Sequence, residues 1–281
     1  MTGILLIDKP IGITSHTVVS RVRKILNTRK VGHAGTLDPI ATGVLVVLVG
    51  RATKLSDILL SESKRYEAEL KLGTVTDTYD ITGDVLSECE PSVTRSQLEE
   101  AVLSFEGEIN QLPPVYSAIK KDGRKLYEYA RAGEKVELKP RKVTIDKISF
   151  VGDNTLDIIC SKGTYIRSLI HDIGQKLGCG ACMTALKRTA SGEFLFSDCC
   201  TLDELQEKGF DKCALSIDDV LKVPDIVLSG NAEQKMKNGN YLVTSDYPSG
   251  YFKVKDSSGE IICYAKCDGR KLRPEIMLYG D

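Results

Sequence analysis

No stretch of the chain is apolar for the ~20 residues that a membrane span needs, and no apolar block of signal-peptide type leads it. The nine cysteines (89, 160, 179, 182, 199, 200, 213, 263 and 267) are odd in number and follow no framework spacing. A disulfide-stapled secreted scaffold is thereby excluded, and the expectation is a cytoplasmic protein with free thiols. Cys179-x-x-Cys182 followed by Cys199-Cys200 raises the question of zinc. Adjacent cysteines do not readily bring both sulfurs to one tetrahedral metal, so these read as buried or incidental thiols. No GxxxxGK(S/T) or GxGxxG loop follows a strand, which leaves nucleotide-cofactor folds unsupported. Internal repeats and low-complexity tracts are absent too. Nor is there an excess charge: 38 Lys and Arg against 39 Asp and Glu leave −1, which by itself argues against a nucleic-acid partner.

The regional balance differs from the total. Residues 1–60 carry eight basic groups against three acidic ones, and 111–150 carry ten against five. Residues 61–110 between them carry four against twelve. Two basic segments separated by an acidic one can build a single positive face on a neutral protein, or can be ordinary solvated charge. At 281 residues the chain is long for one domain, and a composition break at Lys222-Val223-Pro224 divides it.

Along the chain, GILLID (3–8) predicts a short strand. Thr14 or Ser15 caps a helix whose apolar residues are Val18, Val19, Val22, Ile25 and Leu26. Val44 to Val49 is a run of six apolar residues, the pattern of a strand buried on both faces. Tyr66, Ala68, Leu70 and Leu72 alternate with Glu67, Glu69 and Lys71, as in a half-exposed strand. Residues 73–85 form a polar turn cluster, and Thr94-x-x-Gln97 is a capping box. Residues 110–143 read as a long basic excursion with a helix near 124–132. Strands near 143–151 and 155–160 precede a turn and helix over 162–178, and short strands with Gly turns fill 225–281.

Asp38 is the only carboxylate between Asp8 and Asp57, and it lies in a loop of glycines just before Pro39. Gly32, Gly35 and Gly43 allow close backbone approach, and Pro39 fixes the chain behind the acid. An acid held this way serves as nucleophile, base or ligand, or else simply caps a turn. His33 is near, but no second carboxylate accompanies it, so paired-acid glycosidase chemistry is not indicated. One Asp and one His are also too few for a metal site. Tyr66 reads as strand packing or as function, Arg167 as a surface salt bridge or the partner of a buried acid, and Lys187-Arg188 as a solvated pair.

Seven segments carry a more specific signal: GILLIDKPIGITS (3–15), VGHAGTLDPIATGVLVV (31–47), RATKL (51–55), KRYEAELKLGTVTDTYDITG (64–83), LPPVYSAIKKDGRKLYEYAR (112–131), KGTYIRSLIHDIGQKLG (162–178) and ALKRTASG (185–192). In this order they resemble the TruB family of tRNA pseudouridine synthases, over nearly all of the first 195 residues. YFKVKDSSGEIICYAKCDGRKLRPEIML, more weakly, is similar to a PUA RNA-binding domain.

The resemblance implies an α+β fold with a mixed, largely antiparallel sheet, helices at its sides and the catalytic loop in a central cleft. It implies a catalytic domain over 1–222, with an RNA-gripping insertion at about 112–141, and a PUA-like domain over 223–281. The activity implied is isomerisation of the T-loop uridine of tRNA, position 55, to pseudouridine, with Asp38 as nucleophile. Arg167 would keep Asp38 ionised, and Tyr66 would stack on the flipped base and could move a proton. His33 would contact RNA, Tyr165 and Leu186 would line the pocket, and Lys9 and Lys54 would support it. No metal, nucleotide or organic cofactor is expected, nor a membrane or an obligatory protein partner; the T arm of tRNA is the expected partner of a monomer. Two alternatives are a tRNA-binding folding chaperone and a guide-RNA-dependent synthase subunit. The short lead-in before GILLIDKP and the lack of a basic tail favour the stand-alone bacterial type over the latter.

Overall fold

The computed structural model describes residues 1–60, 63–117, 120–121, 123–134 and 136–280; of the predicted RNA-gripping insertion, residues 118, 119, 122 and 135 lie outside the described residues. The chain opens with β1 (Gly3–Lys9), α1 (Ser15–Ile25), β2 (Val31–Ala34), β3 (Ala41–Val49), α2 (Ser56–Leu60) and β4 (Lys64–Leu72). A hairpin of β5 (Thr74–Thr76) and β6 (Val85–Glu88) follows, then α3 (Arg95–Leu103) and β7 (Gly107–Gln111). The basic excursion holds a two-residue hairpin, β8 (Lys120–Lys121) and β9 (Arg124–Lys125), and α4 (Leu126–Arg131). Next come β10 (Arg141–Phe150), β11 (Thr155–Cys160), α5 (Ile166–Leu177), β12 (Ala181–Ser191), β13 (Phe194–Leu195), α6 (Leu202–Lys208) and β14 (Ala214–Leu215).

Ten of these strands form one sheet in the order β14-β1-β3-β12-β4-β11-β10-β7, with β2 beside β3 and β13 beside β12. Among the described residues β12 runs parallel to β3, while the other pairs in this sheet are antiparallel. The expected mixed, largely antiparallel α+β architecture is therefore the one the chain adopts. Residues beyond the composition break form a separate sheet of β15 (Asp225–Val227), β16 (Leu242–Val243), β17 (Gly250–Lys255), β18 (Ile261–Cys267) and β19 (Lys271–Met277), ordered β15-β17-β18-β19-β16. No helix among the described residues is long and apolar enough to cross a membrane.

At β3 the large sheet is covered on both faces, which explains the unbroken apolar run of that strand. Leu45, Val47 and Val49 join the core under α1 and α5, while Val44, Val46 and Leu48 join the core on the opposite face. Burying each such side chain contributes about 1.5–3 kcal/mol. β4 alternates as its sequence does, with Tyr66, Ala68 and Leu70 buried and Glu67, Glu69 and Lys71 exposed. The capping boxes at Thr94 and Thr201 start α3 and α6.

One reading is corrected and one is sharpened. Arg188 is not half of a solvated pair: it is 1% exposed and sits on β12 in the middle of the sheet. The polar cluster 73–85 is the β5–β6 hairpin region, and its Asp80 is 4% exposed. Gly43 (φ +92°) lets β3 approach β12 closely, because a Cβ there would meet the Arg188 carbonyl oxygen at 2.3 Å. Gly174 does the same between α5 and β12, where a Cβ would lie 2.1 Å from the Ala181 nitrogen.

Candidate active site

Asp38 lies in the turn between β2 and β3, and both of its neighbours are fastened. The buried Ser15 hydroxyl at the start of α1 accepts from the Leu37 N–H at 2.8 Å and donates to the Leu37 carbonyl at 3.1 Å. The Pro39 carbonyl accepts from the Gly12 N–H at 2.8 Å and from Lys9 Nζ at 3.3 Å. Lys9 is fully buried and also donates to the carbonyls of Pro10 (2.9 Å) and Ile13 (2.7 Å). Burial lowers its pKa to about 8, against the pull of the Asp38 and Asp8 carboxylates. Lys9 is thus a brace that ties the end of β1 to the acid's loop.

Arg167, in the first turn of α5, reaches Asp38 from the other side. Its side chain is 5% exposed; Nε lies 2.9 Å from Asp38 Oδ2 and Nη2 donates to Oδ1 at 3.2 Å. Nη2 also donates to the Tyr116 carbonyl (3.0 Å). Nη1 donates to the Thr78 carbonyl (2.8 Å) and faces Asp80 Oδ2 at 3.3 Å. The guanidinium is therefore shared by two carboxylates and two backbone oxygens, the multidentate arrangement that Arg supports and Lys does not. Burial pushes the Asp38 carboxyl above its ordinary range; Arg167 opposes this most strongly, Asp80 adds to it, and Lys9 opposes it further. The surface-salt-bridge reading of Arg167 is excluded by its burial.

Asp38 faces a cavity of about 220 Å³, smaller than the ~300–1,000 Å³ of drug-sized sites and suited to one ring. Its walls include Tyr66 from β4, Leu186 from β12, and Tyr165 at the entrance to α5. Tyr66 is 8% exposed, and burial raises the pKa of its hydroxyl, with the positive charge of Arg188 pulling the other way. Arg188 donates through Nε to the Val44 carbonyl (2.7 Å) and through Nη2 to the Gly35 carbonyl (3.3 Å), so it joins β3, the acid's loop and Tyr66. Tyr165 is fixed through its backbone, whose N–H and carbonyl both bond the buried Gln111 side chain at 2.8 and 3.0 Å.

Asp38, Tyr66, Arg167, Tyr165, Leu186 and Lys9 are thus brought together. His33 stands on β2 and is not among the residues lining the cavity, with a pKa lowered by burial, by Arg188 and by His16. Lys54 is not part of the group: its side chain is exposed and donates to the Met277 carbonyl of β19 at 3.0 Å. Asp80 and Arg188 were not anticipated as members of the site. All nine cysteines are free, and the described residues contain no cluster of three or more His, Cys, Asp or Glu suited to a metal.

The same fold covers 99% of this chain and 85% of the chain in "Structure of H/ACA RNP bound to a substrate RNA containing 2'-deoxyuridine", with TM-score 0.70 and 27% identity. Residues 23–166 match the TruB family pseudouridylate synthase (N terminal domain), and residues 167–227 match the tRNA pseudouridylate synthase B C-terminal domain; the chain belongs to the TruB family of pseudouridylate synthases. It is 53% identical to a tRNA pseudouridine synthase B of Azoarcus sp. over 73% of this chain and 69% of that one. It is 43% identical to a tRNA pseudouridine synthase B of Pseudomonas fluorescens over 93% of this chain and 90% of that one.

Proposed function

We propose that this chain isomerises uridine to pseudouridine in tRNA, acting on the T-loop uridine at position 55. The observation that carries the reading is the Asp38 carboxylate, held by the buried Arg167 at the wall of a single-ring cavity. A T-loop base must leave its stack to be reached, at a cost of a few kcal/mol. The flipped uracil would lie between Tyr66 and Leu186, with its glycosidic bond toward Asp38. Asp38 acts as nucleophile, the N1–C1′ bond breaks and the uracil turns. C5 then bonds C1′ as Asp38 is released, the C5 proton passes to solvent, and N1 takes up a proton in its place. Reactant and product have the same composition, so the balance needs no oxidant or cofactor.

Arg167 opposes the upward shift that burial imposes on the Asp38 carboxyl and so favours its ionised form. Tyr66, protonated at neutral pH, supplies a ring face and a hydroxyl able to move a proton. The basic excursion at 112–141 would grip phosphates, and the sheet beyond residue 223 would form a PUA-like RNA-binding domain. We place the protein in the cytoplasm, working as a monomer.

The test is tritium release from tRNA transcripts labelled at uridine C5, with purified protein and no added metal, RNA or partner. About one tritium per tRNA, lost when the T-loop uridine is changed, is expected. Binding without release would favour a folding chaperone. Release only on adding guide RNA and proteins would favour a reading like the H/ACA neighbour.

A further inference from the structure

Two non-glycine residues among those described have a positive φ, Asn27 (47°) and Tyr79 (64°). Asn takes this conformation readily; an aromatic residue holds it only where its surroundings impose it. Tyr79 lies in the turn between β5 and β6, and its neighbours are the two residues by which that turn grips Arg167. Thr78 offers its carbonyl and Asp80 its carboxylate, both to the same guanidinium nitrogen, Nη1. The left-handed turn at Tyr79 is what aims the groups of its two flanking residues at one atom.

The Tyr79 ring is stacked on His171, with centroids 3.9 Å apart and planes 17° from parallel. His171 stands one helical turn beyond Arg167 on α5, so the two present to the same side. Nδ1 of His171 is buried with no hydrogen-bond partner among the described residues, so no hydrogen bond at that nitrogen fixes the ring, and the Tyr79 stack packs against its face. The turn is also fixed to β12: Met183 N–H donates to the Tyr79 carbonyl (3.0 Å), and Ile81 N–H donates to the Met183 carbonyl (2.8 Å). Those two bonds set where the turn sits along β12. On the α5 side the ring stack stands beside the contacts of Thr78 and Asp80 with Arg167.

Resting on the isomerase reading above, we propose that Tyr79, stacked on His171, is a positioning residue that sets the reach of Arg167 toward Asp38. It touches neither substrate nor Asp38. The ring face carries the role and the hydroxyl does not.

The test uses full-length Tyr79→Gly, Tyr79→Phe, His171→Ala and the double variant Tyr79→Gly/His171→Ala, each assayed for single-turnover tritium release and for tRNA binding. Glycine adopts φ near +64° without strain, so Tyr79→Gly keeps the backbone and removes only the ring. Expected are roughly tenfold slower release for Tyr79→Gly and His171→Ala with tRNA Kd unchanged, and wild-type rate for Tyr79→Phe. The double variant should be no slower than either single one, because both remove the same contact. Wild-type release by Tyr79→Gly, or multiplied losses in the double variant, would overturn the proposal. A second readout does not need turnover: the Asp38 titration, followed by carbon NMR, should move to higher pH in Tyr79→Gly as Arg167 loosens. An unmoved titration sinks the positioning role, whereas an inert wild-type enzyme with a moved titration sinks only the isomerase reading.

Discussion

Replacing Asp80 by Asn tests the ion cluster at its least obvious member. Asp80 Oδ1 accepts from the Thr82 N–H (3.0 Å), the Thr82 hydroxyl and the Thr78 hydroxyl (3.1 Å), while Oδ2 faces Arg167. An Asn that keeps the Oδ1 bonds must turn its NH₂ toward Nη1, placing donor against donor. Removing one partner of a buried ion pair costs about 3–5 kcal/mol. Arg167 keeps Asp38 and two carbonyls, so the lower end applies. If that cost falls on the placement of Arg167 in the transition state, the rate drops by roughly 100-fold at 1.36 kcal/mol per decade. Single-turnover tritium release with enzyme in excess reads this directly, and filter binding should give an unchanged tRNA Kd. The pH profile supplies a signature that simple damage lacks. Asp80 helps raise the Asp38 pKa, so its neutralisation should move the acid limb to lower pH even as the plateau falls. A folded Asp80→Asn enzyme at full rate, or one whose acid limb moves upward, would refute the electrostatic account.

Asp38→Asn should abolish release while leaving tRNA binding within about twofold, and retained turnover would remove Asp38 from the nucleophile role. For the wild type, kcat should fall as pH drops through the raised Asp38 pKa, with its midpoint above the ordinary carboxylate range; a midpoint at or below that range contradicts the burial argument. Arg188→Met should lower stability by about 2–6 kcal/mol, because the Val44 and Gly35 carbonyls lose a buried donor at ~1–3 kcal/mol each, and urea unfolding would measure it.

Where side-chain periodicity matched burial, the sequence was readable. β3 is apolar throughout because both faces of the sheet are covered there, and β4 alternates because one of its faces reaches water. Asp38 stood out through local context alone, a single acid between glycines and a proline. The resemblance then assigned it Arg167, a partner 129 positions away that no spacing rule connects to it. What stayed hidden shares one cause, that burial of a charge is decided by distant segments. β12 joins the two halves of the sheet, yet its Lys187-Arg188 broke the apolar pattern and concealed a central strand. The charge at 188 is tolerable because β3 and the loop before Asp38 supply carbonyls, and both lie about 150 residues upstream. Asp80 was masked in the opposite way. Thr78, Asp80, Thr82 and Gly83 spell an ordinary Asx turn, and the Asp80 Oδ1 bond to Thr82 N–H makes one. The second oxygen of the same carboxylate serves Arg167, so a local turn and a distant ion pair use one side chain. A polar turn reads as surface until the helix that fills it is known. The residues least legible in this chain are therefore those whose partners, rather than neighbours, determine what they do.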